Sequence, residues 1–274
     1  MTERQELDTG TNELLAEIRD GVAVLTLNRP EARNALTDPM IRAWRGLIQR
    51  VGDDPRVVSI LVTGAGATFC AGGDVKSMSK SATAAEATFD ERVAALCDEQ
   101  RAVIGALVTV RKPTVAAIAG PAAGAGLALA LACDMRIAAQ SAIMTTAYAR
   151  IALAGDYGIT WLLSRVVGYA RARELLLLSE RITSERAEAL GLVNRVVPDA
   201  DLPDLAFQLA ASLAEGAPVA FRLIKDNLEH AVNSSLVESL DYEARNHIMA
   251  KLTLDYKEGV RAFSEKRKAS FGGR

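Results

Sequence analysis

The run from Pro113 to Cys133, PTVAAIAGPAAGAGLALALAC, carries no charge and constrains this chain more than any other segment. It opens with a β-like stretch, Thr114 to Ile118, turns through Gly120 and Pro121, and continues as Gly and Ala into LALALAC. Three readings fit the run taken alone. It is long enough to span a bilayer and contains a G-x-x-x-G at Gly120 and Gly124, although Pro121 and the glycines interrupt its middle. It also suits a buried strand and helix with no role beyond packing. The third reading is chemical: a turn leading into a helix that starts with small residues presents free backbone N–H groups, which can hold a developing negative charge without any side chain.

The rest of the chain narrows the choice. Its 274 residues fit one large domain or two small ones; half are hydrophobic and 24% charged, so a sizeable core fits a soluble protein. A net charge of −2 argues against a nucleic-acid binder, which would show a basic face. The three cysteines, Cys70, Cys97 and Cys133, are scattered, and no C-x-x-C or His/Cys cluster points to a metal site. Free thiols and a polar, acidic start, MTERQELDTGTNE, make the cytoplasm the expected location.

Alternating runs at Leu14–Ile18 and Val22–Leu27 predict a hairpin turned at Asp20-Gly21. Thr37 caps a predicted helix reaching about Val51, with Pro39 in its first turn. Val57–Thr63 reads as a buried strand, GAGATFCAGGDV as a Gly-rich loop, and Ala84 to Val110 as a long amphipathic helix. A strand at Met135–Ala138 follows, then a turn and helix in IALAGDYGITWLLSRVVG, with Arg171–Leu178 helical. Ser184 is expected to cap a helix leading to a strand at Val193–Val197. From Leu202 onward the pattern is helical, with starts at Pro218 and Ser235 and a basic tail, FSEKRKASFGGR. Strands alternating with helices predict an α/β core over residues 1–200 and a helical region over 201–274.

Familiar catalytic signatures are missing. The two histidines, His230 and His247, lie late in a helical region, and G-x-S-x-G is absent, which disfavours a Ser-His-Asp hydrolase. Gly64-Ala65-Gly66 and Gly124-Ala125-Gly126 each lack the third glycine of a dinucleotide fingerprint, and no P-loop occurs.

Four segments in order resemble one family, the enoyl-CoA hydratase/isomerase (crotonase) superfamily: LNRPEARNAL (27–36), ILVTGAGATFCAGGDVKSM (60–78), KPTVAAIAGPAAGAGLALALACDMRIAA (112–139) and ITSERAEALGLVNRVVP (182–198). The resemblance implies an α/β spiral of ββα units with a helical C-terminal trimerisation region, forming a homotrimer or a dimer of trimers. It also implies an acyl-CoA substrate, coenzyme A being part of that substrate, with no other cofactor, no metal, no nucleic acid and no membrane. Carried onto this sequence, the two backbone N–H groups that receive the thioester oxygen fall on Gly73 and Ala125. Small residues there let the backbone approach a ligand closely. Contacts to pantetheine and adenine fall on Arg29, Arg33, Ala35, Ala71, Gly72, Asp74 and Val75, and on Phe263 and Lys266 of the final helix. Asp74 and Asp134 also suit loop anchors, and Lys266 a solvated tail.

The chain departs from the family where hydratases carry two glutamates. Ala128 and Tyr148 stand at those positions, and neither is a carboxylate. Adding water needs a base for the water and an acid for the α-carbon. Asp156, in LAGDYGITWLL, sits where several isomerases of the family carry an Asp or Glu, and one carboxylate suffices to move a proton between two carbons. Its residue type equally suits a turn before Gly158. Tyr148 and Arg150 are candidates to line the acyl pocket. The expectation is isomerase-type chemistry by Asp156; hydration of an unusual acyl group, or a CoA-binding subunit without catalysis, stay open.

Overall fold

A computed structural model describes residues 4–74 and 87–273. Its seven-stranded sheet has the order β1-β2-β3-β4-β5-β7-β10. β1 (Gln5–Leu7), β2 (Leu14–Arg19) and β3 (Val22–Leu27) are antiparallel, with β2 and β3 turned at Asp20 and Gly21, where φ is 50° and 76°. Two consecutive positive φ values are the type I′ requirement that an Asp-Gly pair meets at low cost. From β3 onward the sheet is parallel through β4 (Ser59–Gly64), β5 (Thr114–Ile118), β7 (Met135–Ala139) and β10 (Arg195–Val197). All five residues of β5 are buried, as an inner strand of a parallel sheet requires.

A second, three-stranded sheet joins β6 (Ala122–Ala123), β8 (Ile143–Thr145) and β9 (Ile182–Thr183). Isolated bridges at Cys70–Ala122 and Leu36–Gly73 continue this pairing. The chain therefore repeats one course: a strand of the large sheet, a short extended piece at the small sheet, then a helix. β3, Leu36 and α1 (Asp38–Asp53) make one turn; β4, Cys70 to Gly73 and α2 (Phe89–Gln100) the next. β5, β6 and α3 (Ala125–Leu131) follow, then β7, β8 and α4 (Ile159–Leu178). This is the expected spiral of ββα units. The run 113–133 is divided among β5, β6 and α3, and among the described residues no helix is long and apolar enough to cross a membrane.

Helix boundaries follow their caps. The Thr37 hydroxyl accepts from the Met40 N–H, and α1 buries Met40, Ile41, Trp44, Leu47, Ile48 and Val51, one stripe at helical spacing. α2 begins at Phe89 rather than Ala84, because Thr88 and Glu91 form a capping box; residues 84–86 lie outside the described part. It continues through a π-turn, Arg101–Gly105, into a last α-turn, Ala106–Thr109. The cap of α5 (Ser184–Ala189) is Thr183, not Ser184, whose hydroxyl instead donates to the Gln140 carbonyl at 2.6 Å. The strand expected from Val193 begins at Arg195, and the helix expected over Arg171–Leu178 is the second half of α4, kinked at Gly168 where φ is 77°.

α6 (Leu202–Ala214) packs on the large sheet, burying Leu202, Ala206 and Ala210, and Ser59 donates to its Ala210 carbonyl at 2.7 Å. α7 (Pro218–Ala231), α8 (Leu236–Lys251) and α9 (Leu254–Ser264) complete the helical end. Asp134 anchors the start of β5: its carboxylate accepts from the Thr114 N–H at 2.7 Å, the Thr114 hydroxyl at 2.9 Å and Lys225 at 2.8 Å.

The small-residue pattern of α3 has a measurable consequence. A Cβ at Gly126 would lie 2.2 Å from the Cys70 carbonyl oxygen, backbone that cannot swing aside. Gly126→Ala is expected to lower stability by about 1–3 kcal/mol or more, read as a lower urea midpoint. Gly46→Ala, in the exposed interior of α1 with nothing within 4 Å of its Cβ, is the control. It is expected to be neutral or to stabilise by up to about 1 kcal/mol.

Candidate active site

Where the second and third turns of the spiral meet, the loop after β4 lies against the start of α3. A Cβ at Gly72 would be 2.9 Å from the Ala123 carbonyl oxygen and 3.6 Å from the Ala125 nitrogen. In the bridge between Leu36 and Gly73, Leu36 makes both hydrogen bonds, its N–H to the Gly72 carbonyl at 2.8 Å and its carbonyl from the Asp74 N–H at 3.2 Å. The Gly73 N–H is left out of that ladder. Ala125 is the first residue of α3, so its N–H has no intrahelical acceptor. Gly124 before it has φ 52° and ψ −123°, a conformation open to glycine, which turns the chain from β6 into the helix.

Gly73 and Ala125 line a cleft of about 630 Å³. Its walls include Leu36, Ile41, Leu96, Ile151 and Leu153, and its polar side chains are Asp38, Asp74, Arg92, Glu99, Thr146, Tyr148, Asp156 and Tyr157. The Tyr148 ring end lies 3.7 Å from the position a Gly124 Cβ would take, beside the start of α3. From there the Tyr148 hydroxyl donates to Asp156 Oδ1 at 2.5 Å. The next residue, Tyr157, donates to Glu99.

Burial raises the Asp156 carboxyl above its ordinary range, while the bond from Tyr148 favours the ionised form and opposes that rise. Burial also pushes the Tyr148 phenol far up, reinforced by the charge of Asp156. Tyr148 is therefore a donor at neutral pH and not a base. Ala128 is completely buried within α3 and has no group to offer.

Of the residues singled out in the sequence, Gly73, Ala125, Asp156, Tyr148, Ala71, Gly72 and Asp74 line the cleft together. Arg29 stands beside them: its guanidinium pairs with Asp74 at 3.2 Å and donates to the Ala35 carbonyl at 3.1 Å. Arg33 is exposed, and its carbonyl accepts from the Ala71 N–H at 3.0 Å. Val75 lies outside the described residues. Phe263 and Lys266 are not brought to the cleft. Phe263 is 88% exposed and lines an apolar hollow with Tyr256, Val260 and Phe271, and Lys266 lies just beyond α9.

Sequence reasoning missed Glu99, Tyr157 and Asn34. Glu99 sits in ERVAALCDEQ, where a charge reads as the solvated face of a helix. Asn34 is fully buried in NRPEARN; its side chain accepts from the Arg29 N–H at 2.8 Å and donates to the Ala65 and Thr68 carbonyls at 3.0 and 2.7 Å. That ties the loop after β3 to the loop after β4. Its signal was an amide in a loop whose backbone φ is positive at both Arg33 and Asn34.

The raised pKa of Asp156 carries a stability prediction. Its folded form holds a proton over a pH range where the unfolded chain has released it, so its contribution to stability falls as pH rises from 3.8, the ordinary value, to the folded value. Asp156→Asn is expected to raise Tm at pH 7, with the difference shrinking well below pH 3.8, where both states are protonated. Scanning calorimetry across pH measures it.

The family model for enoyl-CoA hydratase/isomerase matches residues 17–274. A 1,2-epoxyphenylacetyl-CoA isomerase of Escherichia coli K12 is 37% identical over 261 residues, covering 95% of this chain and 98% of that protein. A short-chain-enoyl-CoA hydratase of Clostridium acetobutylicum is 31% identical over 258 residues, covering 94% and 96%. Among solved structures, an enoyl-CoA hydratase from Bacillus anthracis superposes with a TM-score of 0.89 at 30% identity, covering 96% of this chain and all of that one. Segment order, spiral, cleft and relatives agree: this chain is an enzyme of the enoyl-CoA hydratase/isomerase family, which acts on CoA thioesters.

Proposed function

We propose that this enzyme is an acyl-CoA isomerase that moves a double bond by way of a thioester enolate. The observation that carries the reading is the carboxylate of Asp156, bonded by Tyr148 beside the start of α3 in the cleft that Gly73 and Ala125 line, in a chain where Ala128 and Tyr148 occupy the positions of the hydratase glutamates. The thioester oxygen lies between the N–H groups of Gly73 and Ala125. Asp156 takes a proton from the carbon between the thioester carbonyl and the double bond of a 3-enoyl-CoA; the C–H electron pair becomes the C=C of the enolate as the carbonyl π pair moves onto the thioester oxygen. The same carboxyl then returns the proton at the other end of the allyl system, and the double bond settles in its new place. The reaction as written is redox-neutral and needs no cofactor beyond the CoA of the substrate. Arg29, Arg33, Ala35, Ala71, Gly72 and Asp74 hold the pantetheine and nucleotide side. The name of the Escherichia coli relative, an isomerase of an acyl-CoA, supports this class of chemistry.

Amide donors aimed at an enolate oxygen are strongest where water is excluded, and each is worth about 10²–10³-fold in rate. A burial-raised Asp suits the proton abstraction, because a higher pKa makes the carboxylate a stronger base. The homotrimer implied by the family fits the helical end, where Leu236, Leu252 and Phe263 are 75%, 77% and 88% exposed. Apolar side chains left so open in α8, α9 and the turn between them suit an interface between copies. Light scattering of the intact chain is expected to give a trimer or hexamer, and deletion from Ser235 onward to abolish it.

Asp156→Asn keeps the shape and still accepts from Tyr148 but cannot take a proton. It is expected to lower kcat for isomerisation of a 3-enoyl-CoA at least about 10²-fold with acyl-CoA affinity nearly unchanged. Exchange of the α-proton in deuterated water is expected to fall in parallel; an unchanged rate would leave Asp156 as a turn residue. Hydration of crotonyl-CoA by the parent enzyme is expected to run orders of magnitude below that of a two-glutamate hydratase, and rapid hydration would overturn the reading.

Tyr148→Phe tests the electrostatics. It removes the donor that favours ionised Asp156, so the Asp156 pKa rises further. The acid limb of the kcat/KM profile is then expected to move to higher pH.

A further inference from the structure

Asp156 lies in a stretch of chain that gives it little support. Between the short turn Tyr148–Ile151 and α4 there is no helix or strand, and φ is positive at Ala152, Gly155, Tyr157 and Gly158. Residues 149–155 and Gly158 are exposed and Asp156 is half-buried. Tyr157, at 5% exposure, is the one buried residue of 149–158. A loop of this kind samples many conformations unless it is tied down. A proton shift needs the opposite, a carboxylate held within reach of both carbons.

Tyr148 steadies the carboxylate from the side of α3, where its ring end lies beside Gly124. The tie to the facing wall is Tyr157, whose hydroxyl donates to Glu99 of α2, 58 residues earlier in the chain. Burial pushes the Tyr157 phenol far up, reinforced by Glu99, so it stays a donor at neutral pH. A buried hydroxyl is costly to leave unpaired, and a charged acceptor binds it more strongly than a neutral one.

The receiving wall is itself anchored. The π-turn Arg101–Gly105 begins two residues after Glu99 and buries Val103 and Ile104. Ile104 also meets the loop: its Cγ2 lies 3.8 Å from the position a Gly158 Cβ would take. Tyr157 has φ 51°, a left-handed conformation disfavoured for a bulky side chain. Such conformations persist where the surroundings enforce them, and they cluster at active sites. Here the buried ring and the bond to Glu99 supply that enforcement, one residue after Asp156.

We propose that Tyr157, held by Glu99, is a positioning residue that fixes the loop so that the neighbouring Asp156 carboxylate stands at the reacting carbons. This rests on the isomerase reading above. Burial and Tyr148 set the proton affinity of Asp156, and Tyr157 sets where the carboxylate stands.

The test follows isomerisation of 3-hexenoyl-CoA, with hexanoyl-CoA affinity from calorimetric titration. Tyr157→Phe keeps the ring and removes only the donor. It is expected to lower kcat by about tenfold to 10²-fold with affinity nearly unchanged. The acid limb of its kcat/KM profile is expected to stay in place, in contrast to Tyr148→Phe. Glu99→Ala breaks the same bond from a half-buried position, which keeps the test open should Tyr157→Phe fold poorly; it is expected to reproduce the loss. Glu99→Gln keeps an acceptor oxygen and is expected to recover much of it. In an Asp156→Asn background, Tyr157→Phe is expected to cost nothing further, because it acts through that carboxylate. A full additional loss in that background, or a loss that falls on affinity instead of kcat, would show a structural role and sink the proposal. Parent-like kcat in Tyr157→Phe and Glu99→Ala, with Asp156→Asn slow, defeats this inference alone. Asp156→Asn as fast as the parent defeats the isomerase reading, and the positioning role with it.

Discussion

Two stretches of backbone meet more closely here than any side chain would allow. Gly126 sits against the Cys70 carbonyl and Gly72 against the Ala123 carbonyl, each too near for a Cβ. This approach brings the loop after β4 to the start of α3, and with it the N–H groups of Gly73 and Ala125 to one cleft. The large parallel sheet sets the spacing of the two loops, because β4 and β5 are adjacent strands in register from Ile60–Thr114 to Thr63–Ala117. Everything chemical in the cleft is arranged around this contact. Catalytic electrostatics of this kind depend on donors held in place before the charge develops. A rigid sheet and two glycines provide that without a charged side chain.

Around that contact the polar groups fall into two bonded pairs. Tyr148 with Asp156 occupies the side nearest the amides, and Tyr157 with Glu99 lies beyond it. Each pair joins a phenol to a carboxylate, and at Asp156, where burial disfavours the ion, an unpartnered charge would be costly. Burial favours the neutral acid and the tyrosine bond favours the ion, so the Asp156 pKa is set by the balance of the two. The same balance explains why the loss of both hydratase glutamates need not leave the cleft inert. In the proposed reaction one carboxyl with a tuned proton affinity would perform both halves of a proton shift.

The loops after β3 and β4, on one side of the cleft, are tied together by buried polar bonds. Asn34 links the loop after β3 to the loop after β4 with two bonds and braces its own loop with a third, to the Arg29 N–H; Arg29 adds Asp74 and the Ala35 carbonyl. Loops without such ties would sample many conformations and pay an ordering entropy on binding. The tie also explains why NRPEARNAL and GAGATFCAGG act as one unit although some thirty residues separate them.

The sequence by itself determined the architecture and half of the site. Alternation and an Asp-Gly turn marked the β2–β3 hairpin, Thr37 and Pro39 marked α1, and the uncharged run marked β5 and α3, because these signals are local. Gly73, Ala125 and Asp156 were legible through motif order. Only the tertiary structure decided that Tyr148, standing where a glutamate would, bonds Asp156, and that Glu99 and Tyr157 face the same cleft. Helical periodicity placed Glu99 on an outer face, but that face is met by the turn before α4, some sixty residues further along the chain. A pairing between distant segments leaves no trace in local pattern. The cap at Thr183 rather than Ser184 shows the same limit: either hydroxyl can cap, and the choice fell to whichever was not already taken by the Gln140 carbonyl.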